Sequence, residues 1–331
     1  MTASPGSDEE KVDNILETLG VTHIISKKDT DPDVAKYLHK KEVTPIFFDL
    51  PQELLEARNH LKEVMEGYIR QIRELGIEGI DVPNRTLSMK NLNEIKAGID
   101  RAIGQGDSRG YAGASLYAGI MKLRHGISMA ESQGTLPLKR YLCKLYDEGT
   151  SSSGSKASRN LIRHPLFQRV YASALYWEEE IHPKLTHLPT IILEELDANP
   201  EAKVIVFASF RDTVNVIVST LKEHGIAATR FVGQAKDGLN QRKQKSTLDQ
   251  FREGKYKVLV STSVGEEGLD VPATNCVVFY EPTPSPVRNV QRRGRTGRHD
   301  DGRVIILITK GTIDEVYWNV AKKRESSGWA I

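Results

Sequence analysis

The spacing of apolar positions divides most of the chain into two kinds of sequence. Between residues 51 and 187, apolar residues recur at intervals of three and four, which places them on one face of an amphipathic helix. Residues 54–75 and 116–130 show this pattern most clearly. The serine-rich segment 150–155 predicts a flexible loop between two helices. No convincing strand pattern interrupts this region, so the sequence predicts a helical bundle.

Beyond residue 188, short runs of consecutive apolar residues alternate with helical segments that end at Gly225 and Gly254. Uninterrupted apolar strands are typical of a parallel sheet whose two faces are covered by helices. The sequence therefore predicts an α/β domain with a doubly wound parallel sheet. Its expected helices include residues 213–224 and 241–252, and its expected strands are residues 204–207, 228–232, 256–260, 275–280 and 303–308.

The first residues have a different organisation. Residues 7–10 supply an N-cap and first-turn acids for a short helix, Gly20 ends that helix, and residues 21–25 are predicted to form a strand. One helix and one strand form no sheet of their own, so we interpret this segment as the remnant of a preceding domain. The predicted domains are this remnant at 1–30, a helical insert at 31–187 and the α/β domain at 188–331.

Composition sets limits on the kind of protein. A length of 331 residues with 39% hydrophobic content suits two domains with ordinary cores. No stretch approaches the ~18 consecutive apolar residues that span a bilayer, and the N-terminus does not resemble a secretory signal. We therefore expect a cytoplasmic protein without a membrane partner, with Cys143 and Cys276 as reduced thiols. The nine histidines form no metal-ligand cluster, and we expect no metal site.

Net charge does not identify a partner. The formal charge is only +2, so a nucleic-acid partner has to be argued from the positions of the charges. Residues 261–272 follow the predicted strand that ends at Val260, and their small and hydroxyl side chains would let an anion approach the backbone. Asp270 could accept hydrogen bonds from sugar hydroxyls. A polar loop whose acidic pair caps a helix explains the same residues equally well.

An arginine-rich segment at residues 291–298 carries the strongest chemical signal. Arg292, Arg295 and Arg298 recur at every third position, and glycines separate them. Guanidinium groups are permanently charged and present forked donors that suit phosphate oxygens. A solvated basic helix would not need the glycines and would usually contain lysine as well. The segment therefore predicts a phosphate-binding site.

In chain order, these segments resemble motifs four, five and six of the superfamily-two helicases. The matching residues are 207–209, 262–270 and 291–298. The sequences of residues 264–272 and 279–282 resemble those of the archaeal Hef helicases and their Fanconi anaemia M-type relatives.

The resemblance extends along the whole chain. Residues 2–5 resemble motif three, which closes the first RecA-like domain of these helicases, and the helical region resembles the insert between their two RecA-like domains. Motif three is a weak signal by itself, whereas the arginine-rich motif six is specific.

The resemblance implies roles for residues at the expected nucleotide site. Arg295 and Arg298 would be arginine fingers that reach the γ-phosphate of an ATP held by the other RecA-like domain. Gly268 and Asp270 would lie near the ribose. The motif-six residues that brace the site would be Gln291 and Arg292.

The resemblance also implies nucleic-acid contacts. Thr262 would contact the nucleic-acid backbone, with Ser209 and Gly233 as weaker candidates, and such contacts position a strand without reading its sequence. Glu267 stands where DEAD-box relatives carry an arginine, which argues against an analogy with their RNA binding.

Two motifs of a complete ATPase are absent from the sequence. There is no Gly-x-x-x-x-Gly-Lys-[Ser/Thr] loop, and no Asp-Glu-x-[His/Asp] follows a strand. ATP and Mg²⁺ would therefore be bound mainly by a first RecA-like domain, which we expect in cis. We expect this chain to be a fragment that is inactive alone.

Basic residues of the insert are candidates for contact with DNA. Lys156, Arg159 and Arg163 cluster after the serine-rich segment. A solvated face is the plain interpretation, and the family resemblance favours a clamp on forked or branched DNA.

The resulting expectation is an ATP-dependent DNA helicase or translocase that acts on forks in DNA repair or replication-fork processing. An ATP-independent nucleic-acid-binding module and a double-stranded RNA helicase of the RIG-I-like group remain the alternatives.

Overall fold

A computed structural model describes most of the chain: residues 9–18, 20, 41–77, 88–232, 241–262, 274–282 and 302–326. Its contacts divide the chain into two compact units. The sheet unit comprises Met1–Asp49 and Pro183–Ile331, and the helical unit comprises Leu50–His182.

The helical unit contains six described helices and, among its described residues, no strand. They are α2 (Gln52–Glu74), α3 (Met89–Gly104), α4 (Ser108–Ser132), α5 (Thr135–Thr150), α6 (Lys156–Ile162) and α7 (Pro165–Leu175); α1 (Glu9–Thr18) and strand β1 (Lys41–Phe48) precede them in the sheet unit. The predicted helical bundle is confirmed.

The apolar face of α2 packs chiefly against α4. Residues Leu61, Val64, Tyr68 and Ile72 of that face are buried at helical spacing. Gly119 of α4 allows the close approach, because a Cβ atom there would lie 2.5 Å from the Tyr68 ring. This contact builds the core of the helical unit from the pattern that predicted the helix.

The serine-rich segment separates two helices, as predicted. Helix α5 ends at Thr150 and α6 begins at Lys156. The Ser155 hydroxyl caps α6 by accepting a hydrogen bond from the Ser158 amide at 3.1 Å.

The sheet unit contains a six-stranded parallel sheet in the order β1-β6-β5-β2-β4-β3. The α/β parallel architecture predicted from the apolar runs is confirmed. Its remaining elements are α8 (Pro183–Ala198), β2 (Val204–Phe207), α9 (Arg211–Glu223), β3 (Ala228–Phe231), α10 (Gln241–Arg252), β4 (Val258–Ser261), β5 (Cys276–Phe279), β6 (Gly302–Thr309) and α11 (Ile313–Ser326).

Helices cover both faces of the sheet. Val206 of β2 joins an apolar cluster with Leu221 of α9, whereas its neighbour Phe207 joins a second cluster with Phe251 of α10. Successive residues of a strand point to opposite faces, so the unbroken apolar run of β2 is buried on both sides.

Strand β1 differs from the expected organisation. Residues 41–48 fall inside the predicted insert 31–187, yet they pair in parallel with β6 from Lys41 opposite Gly302 to Phe48 opposite Thr309. The start of α8 also belongs to the sheet unit, so the observed helical unit is shorter than the predicted insert. Lys41, Glu42 and Pro45 hid the strand because they interrupt its apolar pattern, and proline is tolerated at a sheet edge.

Helix α1 corresponds to the first predicted helix. Gly20 lies just after it in a left-handed conformation, with φ of 61°. The strand predicted at residues 21–25 lies outside the described residues.

Candidate functional site

The carboxyl ends of the central strands form the edge at which parallel sheets bind ligands. Phe207 of β2 is aligned with Ser261 of β4 on one side and with Phe279 of β5 on the other. Residues just beyond these strand ends therefore lie along a common edge. Two of them are the predicted nucleic-acid contacts Ser209 and Thr262.

Ser209 and Thr262 follow neighbouring strands. The Ala208 amide donates a hydrogen bond to the Ser261 carbonyl at 3.0 Å, which continues the β2–β4 ladder to the positions before both residues. Ser209 is exposed, whereas Thr262 is only 6% exposed. At this edge Ser209 therefore offers a hydroxyl to solvent more readily than Thr262 does.

The other predicted residues of this edge lie outside the described residues: Gly233, Gly268, Asp270, Gln291, Arg292, Arg295 and Arg298. The described chain reaches Thr262 before one of these segments and Pro282 before another. The strands before them, β4 and β5, lie on either side of β2 in the sheet. The last described residues before both segments therefore lie at one edge of the sheet.

A buried polar cluster lies beneath this edge, and the sequence pattern did not predict it. It contains Lys184 of α8, Glu281 after β5 and Asp314 of α11. Lys184 is fully buried and pairs with Asp314, which also accepts a hydrogen bond from the Thr309 amide at 3.2 Å. The Lys184 ammonium lies 5.5 Å from the centre of the Tyr280 ring. These contacts compensate much of the cost of burying the lysine charge.

Glu281 connects this cluster with the strand ends. One of its carboxyl oxygens accepts a hydrogen bond from the backbone amide of Ser209. Burial, and to a smaller extent the charge of Asp314, raises the pKa of Glu281 above its ordinary value of 4.5, while the charge of Lys184 and the hydrogen bond from the Ser209 amide lower it. An acid directly after the apolar run 276–280 was the available sequence signal for this cluster.

The predicted basic residues of the insert share one helix face. Lys156 begins α6, Arg159 lies in its last turn and Arg163 follows as the C-cap; all three are exposed. Their spacing of three and four residues places them together, opposite the buried residues Ala157 and Leu161. Within the described chain they form a small cationic surface, which we call the α6 surface.

The described part of the chain offers neither a membrane span nor a metal centre. None of its helices is both long and apolar enough to cross a membrane. Nor do its histidine, cysteine, aspartate and glutamate side chains form a group of three that could hold a metal ion.

Comparison with known families divides the chain in a similar way. Residues 184–300 match the family described as "Helicase conserved C-terminal domain". Residues 53–181 match the family described as "Putative ATP-dependent RNA helicase, helical bundle". The fold and these two matches define a class: the C-terminal part of a superfamily-two helicase core with a helical insert.

Individual relatives narrow the class. The crystal structure of the Pyrococcus furiosus Hef helicase domain is similar with a TM-score of 0.75 and 39% identity, over 96% of this chain and 65% of that one. The "Putative ATP-dependent RNA helicase MJ1505" of Methanocaldococcus jannaschii is 34% identical over 98% of this chain. The "ATP-dependent DNA helicase mph1" of Neurospora crassa is 32% identical over 97% of this chain.

The chain belongs to the Hef and Fanconi anaemia M-type superfamily-two helicases. The family resemblance found in the sequence is confirmed. The chain spans 40% of the length of MJ1505 and 29% of that of the Neurospora protein.

Proposed function

We propose that this chain is the C-terminal part of the core of an ATP-dependent DNA helicase or translocase that acts on forked or branched DNA in repair or replication-fork processing. The observation that carries the proposal is the common carboxyl edge of β2, β4 and β5. Ser209 and Thr262 lie at this edge, and the chain continues from it into the two predicted functional segments. The name of the Neurospora relative supports DNA as the substrate class.

In this proposal the chain supplies only part of the nucleotide site. Arg295 and Arg298 would face the γ-phosphate and stabilise the charge that develops on the transferring phosphoryl group. Gly268 and Asp270 would lie near the ribose. The chain has no P-loop sequence, so a first RecA-like domain would hold most of the ATP and its Mg²⁺, and this chain alone would hydrolyse no ATP.

Remaining motif residues would support the two ligands. Gln291 and Arg292 would brace the nucleotide site, while Ser209, Thr262 and Gly233 would contact phosphates of a DNA strand. The α6 surface would contact another part of the DNA through Lys156, Arg159 and Arg163. Such charge-based contacts suit a substrate defined by its branching rather than by its sequence.

An RNA substrate is the second candidate, because the helical-bundle family and the M. jannaschii relative are both described as RNA helicases. Labelled forked DNA should be displaced by unlabelled fork more efficiently than by linear duplex DNA or double-stranded RNA. Preferential displacement by double-stranded RNA would instead favour an RNA helicase.

ATP turnover separates an enzyme part from a binding module. The chain should show no ATPase activity alone and should gain DNA-stimulated activity when a Hef-type first RecA-like domain is added. Absence of activity in the mixture, together with intact DNA binding, would favour an ATP-independent binding module.

A further inference from the structure

Glu281 has an unusual environment for an acidic side chain. The residue is 6% exposed, and one carboxyl oxygen accepts the Ser209 amide hydrogen bond. Among the described residues, the other oxygen, Oε2, is buried and has no hydrogen-bond partner. A buried polar atom without a partner destabilises a protein, and the large majority of such atoms are hydrogen-bonded. An apolar residue would avoid this cost, so stability alone is a poor account of the glutamate.

The contacts of Glu281 converge on Ser209. The backbone amide of Ser209 donates a hydrogen bond to one carboxyl oxygen of Glu281, and this bond lowers the pKa of the carboxyl. Lys184 supplies attraction from α8, while its ion pair with Asp314 ties that lysine to α11. Three buried groups from separate elements therefore hold the backbone of Ser209, a residue that is exposed at the sheet edge.

We propose that Glu281 is a positioning residue that orients Ser209, so that its hydroxyl can contact a phosphate of the bound DNA strand. This inference rests on the proposed function, because that function makes Ser209 a nucleic-acid contact. Lys184 and Asp314 hold the Glu281 side chain in place and make no contact with the DNA themselves.

Positioning of Ser209 and stabilisation of the fold have different consequences for DNA affinity. If Glu281 acts through Ser209, removing Glu281 has no further effect on affinity once the Ser209 hydroxyl is gone. If Glu281 only stabilises the fold, its loss lowers the melting temperature and leaves the affinity of the folded protein unchanged. Residues that act through one contact are coupled in a double-mutant cycle, whereas independent residues are additive.

The experiment measures affinity for a fluorescein-labelled DNA fork with single-stranded arms, by anisotropy, at a temperature at which every variant is folded. Four variants of the full chain are compared with the unmodified protein: Ser209→Ala, Glu281→Ala, Glu281→Gln and the double variant Ser209→Ala/Glu281→Ala. Glu281→Gln keeps an oxygen that can accept the Ser209 amide hydrogen bond and serves as the conservative rescue.

We expect Ser209→Ala and Glu281→Ala each to weaken binding roughly tenfold, the effect of one hydrogen bond to a charged group. The double variant should bind like Ser209→Ala, and Glu281→Gln should remain within about twofold of the unmodified chain. The salt dependence of binding should be unchanged in all four, because none of them removes a cation that neutralises phosphate.

Additive losses, or full affinity in Glu281→Ala, would overturn the positioning role while leaving the proposed function intact. So would full affinity in Ser209→Ala. If Glu281→Ala does not fold, Glu281→Leu replaces it with a side chain of similar volume, and failure of both to fold would assign Glu281 to folding and overturn the proposal. Absence of fork binding by the unmodified chain would instead refute the proposed function, and the inference with it.

Discussion

The backbone amide of Thr135 donates a hydrogen bond to the carboxylate of Glu180, with a distance of 2.8 Å between Thr135 N and Glu180 Oε1. The amide of Leu136 donates to the second oxygen at 2.9 Å. The preceding residue, Gly134, has no side chain and so offers no local cap for α5. Glu180 therefore caps the helix from a position 45 residues away in the chain.

Loss of this distant cap should destabilise the helical unit. Glu180→Ala leaves two amides at the start of α5 without their acceptor, and we expect a loss of about 1–3 kcal/mol in unfolding free energy. Urea denaturation followed by circular dichroism measures it. Glu179→Ala is the matched control, because its side chain is exposed and its change should stay within about 0.5 kcal/mol. Equal effects of the two substitutions would contradict the capping role.

The buried pair Lys184–Asp314 should be costly to break from one side. Lys184→Met leaves a buried aspartate without its cation, and we expect a loss of about 3–5 kcal/mol in denaturant unfolding at pH 7. Adding Asp314→Asn removes the charge yet keeps an acceptor for the Thr309 amide. The double variant should therefore be more stable than Lys184→Met.

An exposed ion pair supplies the control for that measurement. Lys96 and Asp100 form a pair with side chains that are 45% and 55% exposed. Lys96→Met should change the unfolding free energy by less than ~1 kcal/mol. If the double variant of the buried pair proved no more stable than Lys184→Met, burial of an uncompensated charge could not be the cause.

Stability of the helical unit should fall in acid through Glu148. Its carboxylate pairs with the Lys122 ammonium at 2.8 Å and accepts a hydrogen bond from the Ser155 hydroxyl at 2.7 Å. The Lys122 hydrogen bond, followed by that of Ser155, lowers the pKa of Glu148 from 4.5 to about 2. A depressed pKa in the folded state stabilises the protein above the unfolded value, and this stabilisation is lost as pH falls through the window from 4.5 to about 2.

Melting temperatures recorded across that window test the acid effect. Glu148→Gln should flatten the decline below pH 4.5, because the neutral amide does not titrate. The exposed Glu94→Gln should leave the profile of the unmodified chain unchanged. Identical profiles for all three proteins would show that the acid sensitivity arises elsewhere.

The α6 surface should contribute to the salt dependence of DNA binding. Replacing Lys156, Arg159 and Arg163 by glutamine should reduce the slope of log affinity against log salt by roughly two to three, since each phosphate contact contributes about 0.9. Anisotropy titrations between low and moderate salt measure the slope.

Three exposed basic residues of α10 provide a control of equal charge. They are Arg242, Lys243 and Lys245. Their replacement by glutamine should leave the slope nearly unchanged. An equal reduction from both sets would mean that general electrostatic attraction, and not the α6 surface, governs binding.

The arginine-finger assignment predicts a loss of turnover without a loss of DNA affinity. In the complete helicase, Arg298→Ala should reduce ATP turnover by roughly 10³-fold or more, because such an arginine stabilises the transferring phosphoryl group. Steady-state ATPase assays and fork-binding titrations measure the two quantities. A parallel loss of DNA affinity would assign Arg298 to the wrong ligand.

Local sequence patterns predicted most strands of the sheet but missed the edge strand β1. Strands β2, β3, β4, β5 and β6 lie within the predicted strand segments or overlap them, and Gly225 and Gly254 adopt the positive φ that ends the helices before β3 and β4. The pattern of β1 is broken by Pro45, and its partner β6 lies about 260 residues away. No short window of sequence contains the information that pairs them.

In the candidate site, too, local sequence predicted some features, while others depend on contacts between distant residues. The family resemblance named Ser209 and Thr262, and each follows a predicted parallel strand, which is enough to place both at the carboxyl edge of the sheet. The pairing of Lys184 with Asp314 joins positions 130 residues apart and depends on how α8 and α11 pack on the sheet. Residue type alone would have placed both side chains on the surface.

The position of β1 has a consequence for how this chain can be divided. The chain leaves the sheet unit at Asp49 and returns at Pro183, and the rings of Phe48 and His187 lie 5.4 Å apart, so the two crossing points are neighbours. The helical unit is therefore an insertion whose two ends lie close together in the sheet unit. A short linker in its place would leave the six strands of the sheet intact. A piece that begins at residue 184, by contrast, would lack the edge strand β1. The backbone of β6 would then be open to pairing with other molecules.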